Sequence, residues 1–431
     1  MDASMQLPSR WPVGVKLQPS ESFGSWFARL AWAHGLSPSE LYRVALPGGR
    51  IAGADLDRHA CDDLIANLTI HTGVPRNDLE KATWRSWRGA VFGRDDGGGN
   101  LAWLPPGGRI YSNHSFGQQV CPSCLAADKE PYFRAEWRLG FVAACPHHHR
   151  LLVDRCPGCS SSIGAQAAPN NASLAKCGYC GFDLRNIAPI KVDEHDLAPQ
   201  RRLLRIARGD WQHMGEAGPV HPVLFFRIFA LLYRLVASGR HALPLRRHLM
   251  GPGSDIRAEA IPRLQEIERY PPRTRLILVG LAWQLAQDWP HRFAEACSAA
   301  GFHRWMMFKQ PADVPFIYAA AVMQYLNGST HHVQPDEIRV AAGKLEAEGE
   351  QPTYKALRGV LGVKFHAARH LAAPAKPHKP YGTHRYWKLD GVSPSTRAAV
   401  KAAAHHAGEN VGAWVDQALR EALAKTKKAD G

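Results

Sequence analysis

The 431-residue chain carries 53 Lys plus Arg against 38 Asp plus Glu, a formal charge of +15. With 45% hydrophobic and 21% charged residues, global disorder, collagen and coiled-coil classes are excluded, and the length predicts two or three domains. No apolar run reaches the roughly 18–20 residues of a membrane helix, so the expectation is a cytoplasmic, nucleoid-associated protein with no membrane contact and an anionic partner such as nucleic acid.

Residues 1–115 read as a helical N-terminal domain. The chain opens without an apolar segment behind a basic one, so no signal peptide is expected. Phe23, Trp26, Phe27, Leu30 and Ala31 recur at helical spacing, and Gly35 suits the residue after a helix end. Ser37-Pro38-Ser39-Glu40 has the outline of a capping box, with proline at the first helical position. Trp84, Trp87 and Trp103 read as core or interface aromatics rather than base-stacking platforms. Cys61 and Cys297, each isolated in sequence, read as core thiols.

Residues 116–190 form a tandem zinc-finger block. Seven of the nine cysteines fall between Cys121 and Cys180. They make four ligand pairs in order: Cys121 with Cys124, Cys145 with His148, Cys156 with Cys159, and Cys177 with Cys180. A two-residue gap lets a tight turn aim both side chains at one ion, and two pairs complete a tetrahedron. Twenty residues separate the first two pairs and seventeen the last two, close to zinc-ribbon spacing. Soft thiolates with one imidazole favour zinc. The expectation is two structural Zn²⁺ ions, each closed by four protein ligands. Spacing leaves sequential and cross-braced pairing open, and either His147 or His149 competes with His148. Arg150, Arg155, Lys176 and Arg185 stand near enough in sequence to offset the site charge, or are simply solvated.

Residues 191–330 read as a helical domain, with helices over Arg201–Ala207, Pro222–Ser238 and Thr274–Gln287. Arg201, Arg205 and Arg208 share a helical face, suited to phosphate or to water. Residues 331–375 suggest a helix-turn-helix-like segment: helices over Asp336–Glu348, Thr353–Leu361 and Val363–Leu371, with Gly362 as the turn and the third helix as reader. From Gln351 to Leu389 there is no Asp or Glu. Lys355, Arg358, Lys364, His366 and Arg369 are the candidate DNA contacts. Residues 381–431 read as a ribbon-helix-helix-like unit or a helical hairpin. In the first case His384–Asp390 is a strand whose Tyr386 and Lys388 face DNA. Val411, Trp414, Val415, Ala418, Leu419, Ala422 and Leu423 form an apolar stripe on the last helix. The fold class is thus mainly α with two small zinc-ribbon-like (α+β) modules and a basic C-terminal region built for DNA.

The ordered cysteine block resembles the TniQ/TnsD family of transposition proteins. The shared features are Cys121–Leu125, Pro131–Arg134, Trp137 and Arg138, Cys145–His148, Leu151 and Leu152, Cys156–Cys159, and Cys177–Leu184. The opening motif of that family is similar to Pro19, Glu21, Ser22, Ser25, Trp26, Arg29 and Leu30 here. The resemblance covers residues 12–190 and makes residues 1–115 a TniQ-like domain. It favours His148 as ligand and sequential pairing, although His149 stands where the family usually has glycine. It implies a target-selection or accessory factor working beside an AAA+ ATPase and a DDE transposase. Some family members read a fixed DNA site and others dock as a dimer on an RNA-guided CRISPR effector, so a homodimer is compatible.

No phosphate-loop, H-E-x-x-H or G-x-S-x-G pattern occurs, and no catalytic residue is assigned. The expectation is a non-enzymatic, zinc-stabilised DNA-binding adaptor that selects the target and recruits the ATPase and transposase. The alternatives are a magnesium-dependent nuclease or strand-transferase with unrecognised carboxylates, and a protein-only adaptor on an RNA-guided effector.

Overall fold

The computed structural model describes residues 10–49, 55–93, 101–110, 113–165, 173–251, 270–308, 310–326, 335–361 and 393–429. It is mainly helical, with three two-stranded antiparallel sheets among the described residues. Two compact units divide the chain at Gly328.

The first unit opens with α1 (Phe23–Ala33), α2 (Pro38–Ala45), α3 (Leu56–His59), α4 (Asp62–Thr72) and α5 (Arg76–Lys81). Ser22 caps α1 by accepting from the Ser25 amide, and Ser37 with Glu40 forms the expected capping box on α2; each cap contributes about 1 kcal/mol. The α1 stripe anticipated from the sequence is the core of this part. Phe23, Trp26, Phe27, Leu30 and Ala31 are fully buried against Leu41, Leu64, Ile65, Leu68 and Leu79.

After a short 3₁₀ turn at Trp84–Trp87 come β1 (Gly107–Ile110) and β2 (Asn113–Phe116). Next are α6 (Pro122–Ala127), β3 (Ala144–Cys145) and β4 (Arg150–Leu151). Then follow α7 (Glu194–Ala207), β5 (Gln212–His213), β6 (Pro219–Val220), α8 (Pro222–Ala237), α9 (Ala242–Met250), α10 (Pro272–Ala286), α11 (His291–Ala299), α12 (Arg304–Met307) and α13 (Phe316–Tyr325). Helix α7 begins seven residues earlier than the sequence suggests. Pro199 reads as a boundary, yet it sits inside the helix, and Glu194 and Asp196 favour the positive end of the first turn. One apolar core runs from Trp84 and Trp103 through Phe141, Phe226 and Phe229 to Leu285 and Tyr318. It takes in Cys121, Cys124, Cys145, Cys156 and Cys177. Trp84, Trp87 and Trp103 are buried in it. So is Cys297, whose thiol pKa is raised by burial.

The second unit contains α14 (Pro335–Ala347) and α15 (Tyr354–Leu361), which close over Ile338, Ala341, Leu345 and Leu357. It also contains α16 (Pro394–His406) and α17 (Val411–Ala429), which pack on each other with Ala404 buried. Ser393 caps α16. No single helix among the described residues is long and apolar enough to cross a membrane.

Candidate metal centres

Eight side chains converge in two groups. Cys121, Cys124, Cys145 and His148 form the first, and Cys156, Cys159, Cys177 and Cys180 the second, with ligand atoms in each group lying within 4.8 Å of one another. The grouping is sequential, not cross-braced. In the first, Cys124 Sγ lies 3.6 Å from Cys145 Sγ, and His148 Nδ1 lies 3.2–3.7 Å from the three sulfurs. In the second, the Cys156–Cys180 and Cys159–Cys177 sulfurs are 3.6 and 3.7 Å apart. A tetrahedron with zinc–sulfur bonds of about 2.3 Å has edges of about 3.8 Å, so both cages fit that ion.

Local turns build the cages. The first pair opens α6: Cys121 is its cap residue and Pro122 its first residue. The other three pairs are tight turns in which the residue four beyond the first ligand has positive φ, namely His149 (51°), Ser160 (58°) and Gly181 (74°). In each, that residue's amide donates to the carbonyl of the first ligand. Glycine adopts this conformation freely; His149 and Ser160 do so at a cost of about 1 kcal/mol.

The electrostatics also call for a cation. Hydrogen bonds among the crowded thiols push the Cys124 pKa up and the Cys145 pKa down. Burial pushes Cys156 up to about 12, while hydrogen bonds from Ser161 bring Cys159 down to about 6. Four thiolates cannot share so small a volume without a positive charge at its centre.

Two of the four sequence neighbours that could offset the cage charge are engaged elsewhere. Arg155 bonds Asp154 and lies 4.0 Å over the Phe116 ring, and Arg185 bonds Asp183. The residue that does face the first cage is Arg134. Burial lowers its guanidinium pKa, but a bidentate bond to Asp128 and the charge of Cys124 outweigh it. Arg134 also stacks on Tyr132 and Trp137 at 4.0 and 4.8 Å. Only the family motif Pro131–Arg134 gave a signal for it.

That segment meets the opening motif. Ser22 N donates to Phe133 O, Ala135 N to Ser20 O, and Phe133 N to Ser25 Oγ. Ser25 Oγ donates to Glu21, and Arg29 bridges Glu21 and Glu130 at 2.7 Å each. Burial raises the Glu21 pKa against the attraction of Arg29. Two stretches a hundred residues apart therefore form one hydrogen-bonded seam leading from α1 to the first cage.

Two buried clamps hold the frame. Arg138 bonds Asp55, lies 3.1 Å from Asp57, and donates to Pro105 O. Asp57 in turn accepts from Gly24 N. Burial pushes the Asp57 pKa up to about 6 against the pull of Arg138. Gly107 is glycine of necessity, because a Cβ there would strike the Arg138 guanidinium. On the other side, Gln200 of α7 accepts from Ala143 and Ala144 amides and donates to Ala144 O, bonding the strand that carries Cys145. Arg138 carried a signal only as part of the family's Trp137–Arg138 feature, and its partners Asp55 and Asp57, like Gln200, had none.

The basic face expected on α7 is largely consumed internally: Arg201 bonds Glu194 and His149, and Arg208 bonds Glu136. Of the candidate DNA contacts, Lys355 and Arg358 are exposed on α15. Lys364, His366, Arg369, Tyr386 and Lys388 lie outside the described residues, as do the expected reader helix and ribbon strand.

Residues 12–152 match the TniQ family. The match takes in the seam and the whole first cage and ends before the second. No curated protein matches the chain.

Proposed function

We propose, from the match of residues 12–152 to the TniQ family, that this chain is a TniQ-family transposition protein and a zinc-stabilised, non-enzymatic, DNA-binding adaptor of DNA transposition. Its task is to select the target and to bring an AAA+ ATPase and a DDE transposase to it. The observation that carries this reading is the seam. The two family motifs are bonded to each other and, through Arg134 and Asp128, to the end of the helix that carries Cys121 and Cys124 of the first cage, the construction of a rigid recognition body. Each cage holds one structural Zn²⁺ and no open coordination position, so the ion shapes the surface and takes no part in bond breaking. With zinc bound, the first cage carries a formal charge of −1 beside Arg134, and the second −2.

In this reading the basic C-terminal unit supplies the DNA contact. α14 and α15 are the first two helices of a helix-turn-helix, with Lys355 and Arg358 on phosphates and Lys364, His366 and Arg369 on the reader. The α16–α17 pair, with Tyr386 and Lys388 before it, forms a ribbon-helix-helix-like element, which would make the chain a homodimer. Docking on an RNA-guided effector is the alternative source of specificity.

The test is chromatin capture of the tagged protein in cells lacking the ATPase and transposase. Sharp peaks with a shared motif support direct reading of DNA, and enrichment that returns only with a partner assigns the specificity to that partner. Magnesium-dependent cleavage of labelled DNA by the purified chain would overturn the adaptor reading in favour of a nuclease.

A further inference from the structure

We propose that the α8–α12 face of the first unit is a binding site for single-stranded nucleic acid, separate from the metal cages and from the C-terminal unit. From Ala217 to Ser254 the sequence has no Asp or Glu. Within this stretch Arg227 and Arg234 stand exposed on α8. They are seven residues apart, hence on one face and about 10 Å apart along the axis. No described carboxylate pairs with either. Their charges are unspent, unlike those of Arg201 and Arg208 on α7.

A third arginine is held in place by its neighbours. His241 Nδ1 meets Ala300 O at 2.9 Å, and its Nε2 accepts from Arg240 Nε at 2.8 Å. The backbone carbonyl fixes the tautomer, and the ring, packed on Phe302, then aims the guanidinium. That guanidinium lies 6.0 Å over the indole of Trp305, which is 57% exposed. Trp305 sits on α12, tied to α13 by the Tyr318 hydroxyl on Met307 Sδ at 3.5 Å. Arg240 follows the end of α8 at Ala237 by three residues, so its reach to Trp305 brings the C-terminal end of α8 and α12 side by side.

The exposed part of the Trp305 indole offers a flat apolar face on which a base can stack. Positively charged side chains tracking a backbone, with an aromatic ring for a base, are the two components of single-strand recognition. Duplex DNA, with its bases already stacked, would use the arginines and leave the indole idle.

The experiment is fluorescence anisotropy with a labelled 20-nucleotide oligothymidine and a duplex of equal length. It uses the full chain, alone and in a Lys355→Ala/Arg358→Ala background, so that failure of the C-terminal reading leaves this readout unmoved. Trp305→Ala should weaken oligothymidine binding about tenfold, and Trp305→Phe should recover most of that loss. Arg227→Ala/Arg234→Ala should lower the salt slope of single-strand binding by about 1.4. Retained zinc and circular dichroism confirm folding, which a surface indole does not govern. Oligothymidine affinity within twofold of the parent for both variants would overturn the proposal. So would Arg-dependent binding of the duplex that ignores Trp305, because the face would then be a duplex phosphate track.

Discussion

The two metal cages have nearly the same chemistry and opposite surroundings. In the first, all three cysteines are buried, and the cage lies inside the TniQ match, with α6 tied through Asp128 to Arg134 and the strand of Cys145 tied through Gln200 to α7. In the second, Cys159 and Cys180 are exposed, and the cage lies beyond the match. A ligand set therefore does not by itself say how much of a fold depends on it. The number of long-range bonds converging on the cage does. The first is a keystone for the core; the second touches that core through Cys156 and Cys177 but turns Cys159 and Cys180 to solvent, and so acts more as a local staple.

The largest expected effect tests that difference directly. Cys145→Ser should leave the first unit unfolded or insoluble. A structural zinc site contributes on the order of 10 kcal/mol, comparable to the whole stability of a domain. Cys180→Ser should lose one zinc per chain while the rest of the unit still melts cooperatively. Metal content by mass spectrometry with calorimetry reads both. Equal destabilisation by the two changes would erase the distinction. In the parent protein, chelator should withdraw zinc in two phases, with the second cage emptying first and little change in far-ultraviolet dichroism.

The frame around the first cage comes next. Arg138→Leu leaves Asp55 and Asp57 buried together without a cation and should cost about 3–5 kcal/mol. Gln200→Ala strands two amides and a carbonyl beside Cys145 and should cost about 1–3 kcal/mol. Chemical denaturation measures each. If Gln200→Ala costs no more than a surface change, the coupling of α7 to the cage is weaker than its three bonds imply.

Acid and base separate the regions by sign. The folded pKa of Asp57, about 6, lies above its ordinary value. Its contribution is therefore fully present below about pH 4 and is lost as pH rises through 6. Asp57→Asn should flatten stability across that window. Asp183, near the second cage, is held down at about 2 by Arg185. Its contribution is present above about pH 4 and is lost as pH falls towards 2, and its exposure keeps it small. Unfolding midpoints of Asp57→Asn and Asp183→Asn at pH 4, 5 and 7 check both directions.

What could be read from the sequence was local. The pairs Cys121/Cys124 through Cys177/Cys180, the Ser37 capping box and the α1 stripe each lie within a dozen residues, so periodicity and spacing reveal them. Helices α8 and α10 were placed to within two residues because their apolar faces are long. The start of α7 was misplaced because Pro199 imitates a boundary. Arg138 with Asp55 and Asp57, and Gln200 with Ala143 and Ala144, join residues 56 to 83 positions apart. Such pairs exist only after folding: the family resemblance marks Arg138 beside Trp137, but nothing in the sequence names its partners or its burial. The same blindness made Arg201 and Arg208 look free.

The smallest effect concerns the turns themselves and pairs the two cages once more. His149 stands with φ at 51° after the second ligand pair, where a glycine would sit without strain. His149→Gly relieves about 1 kcal/mol of backbone strain but gives up contact with Arg201 at 2.8 Å and the looser 3.7 Å approach to Glu194. It also frees the unfolded chain by about 0.4–1 kcal/mol. These terms nearly cancel, so stability should move by less than about 1 kcal/mol. At the second cage, Gly181→Ala meets no atom within 4 Å, so its cost is backbone strain alone, about 1–2 kcal/mol. Because the second cage is a local staple, that cost should appear as faster zinc loss from it, with the cooperative melting of the unit unchanged. If Gly181→Ala instead lowers the main transition as much as Gln200→Ala does, the second cage is coupled to the core as tightly as the first.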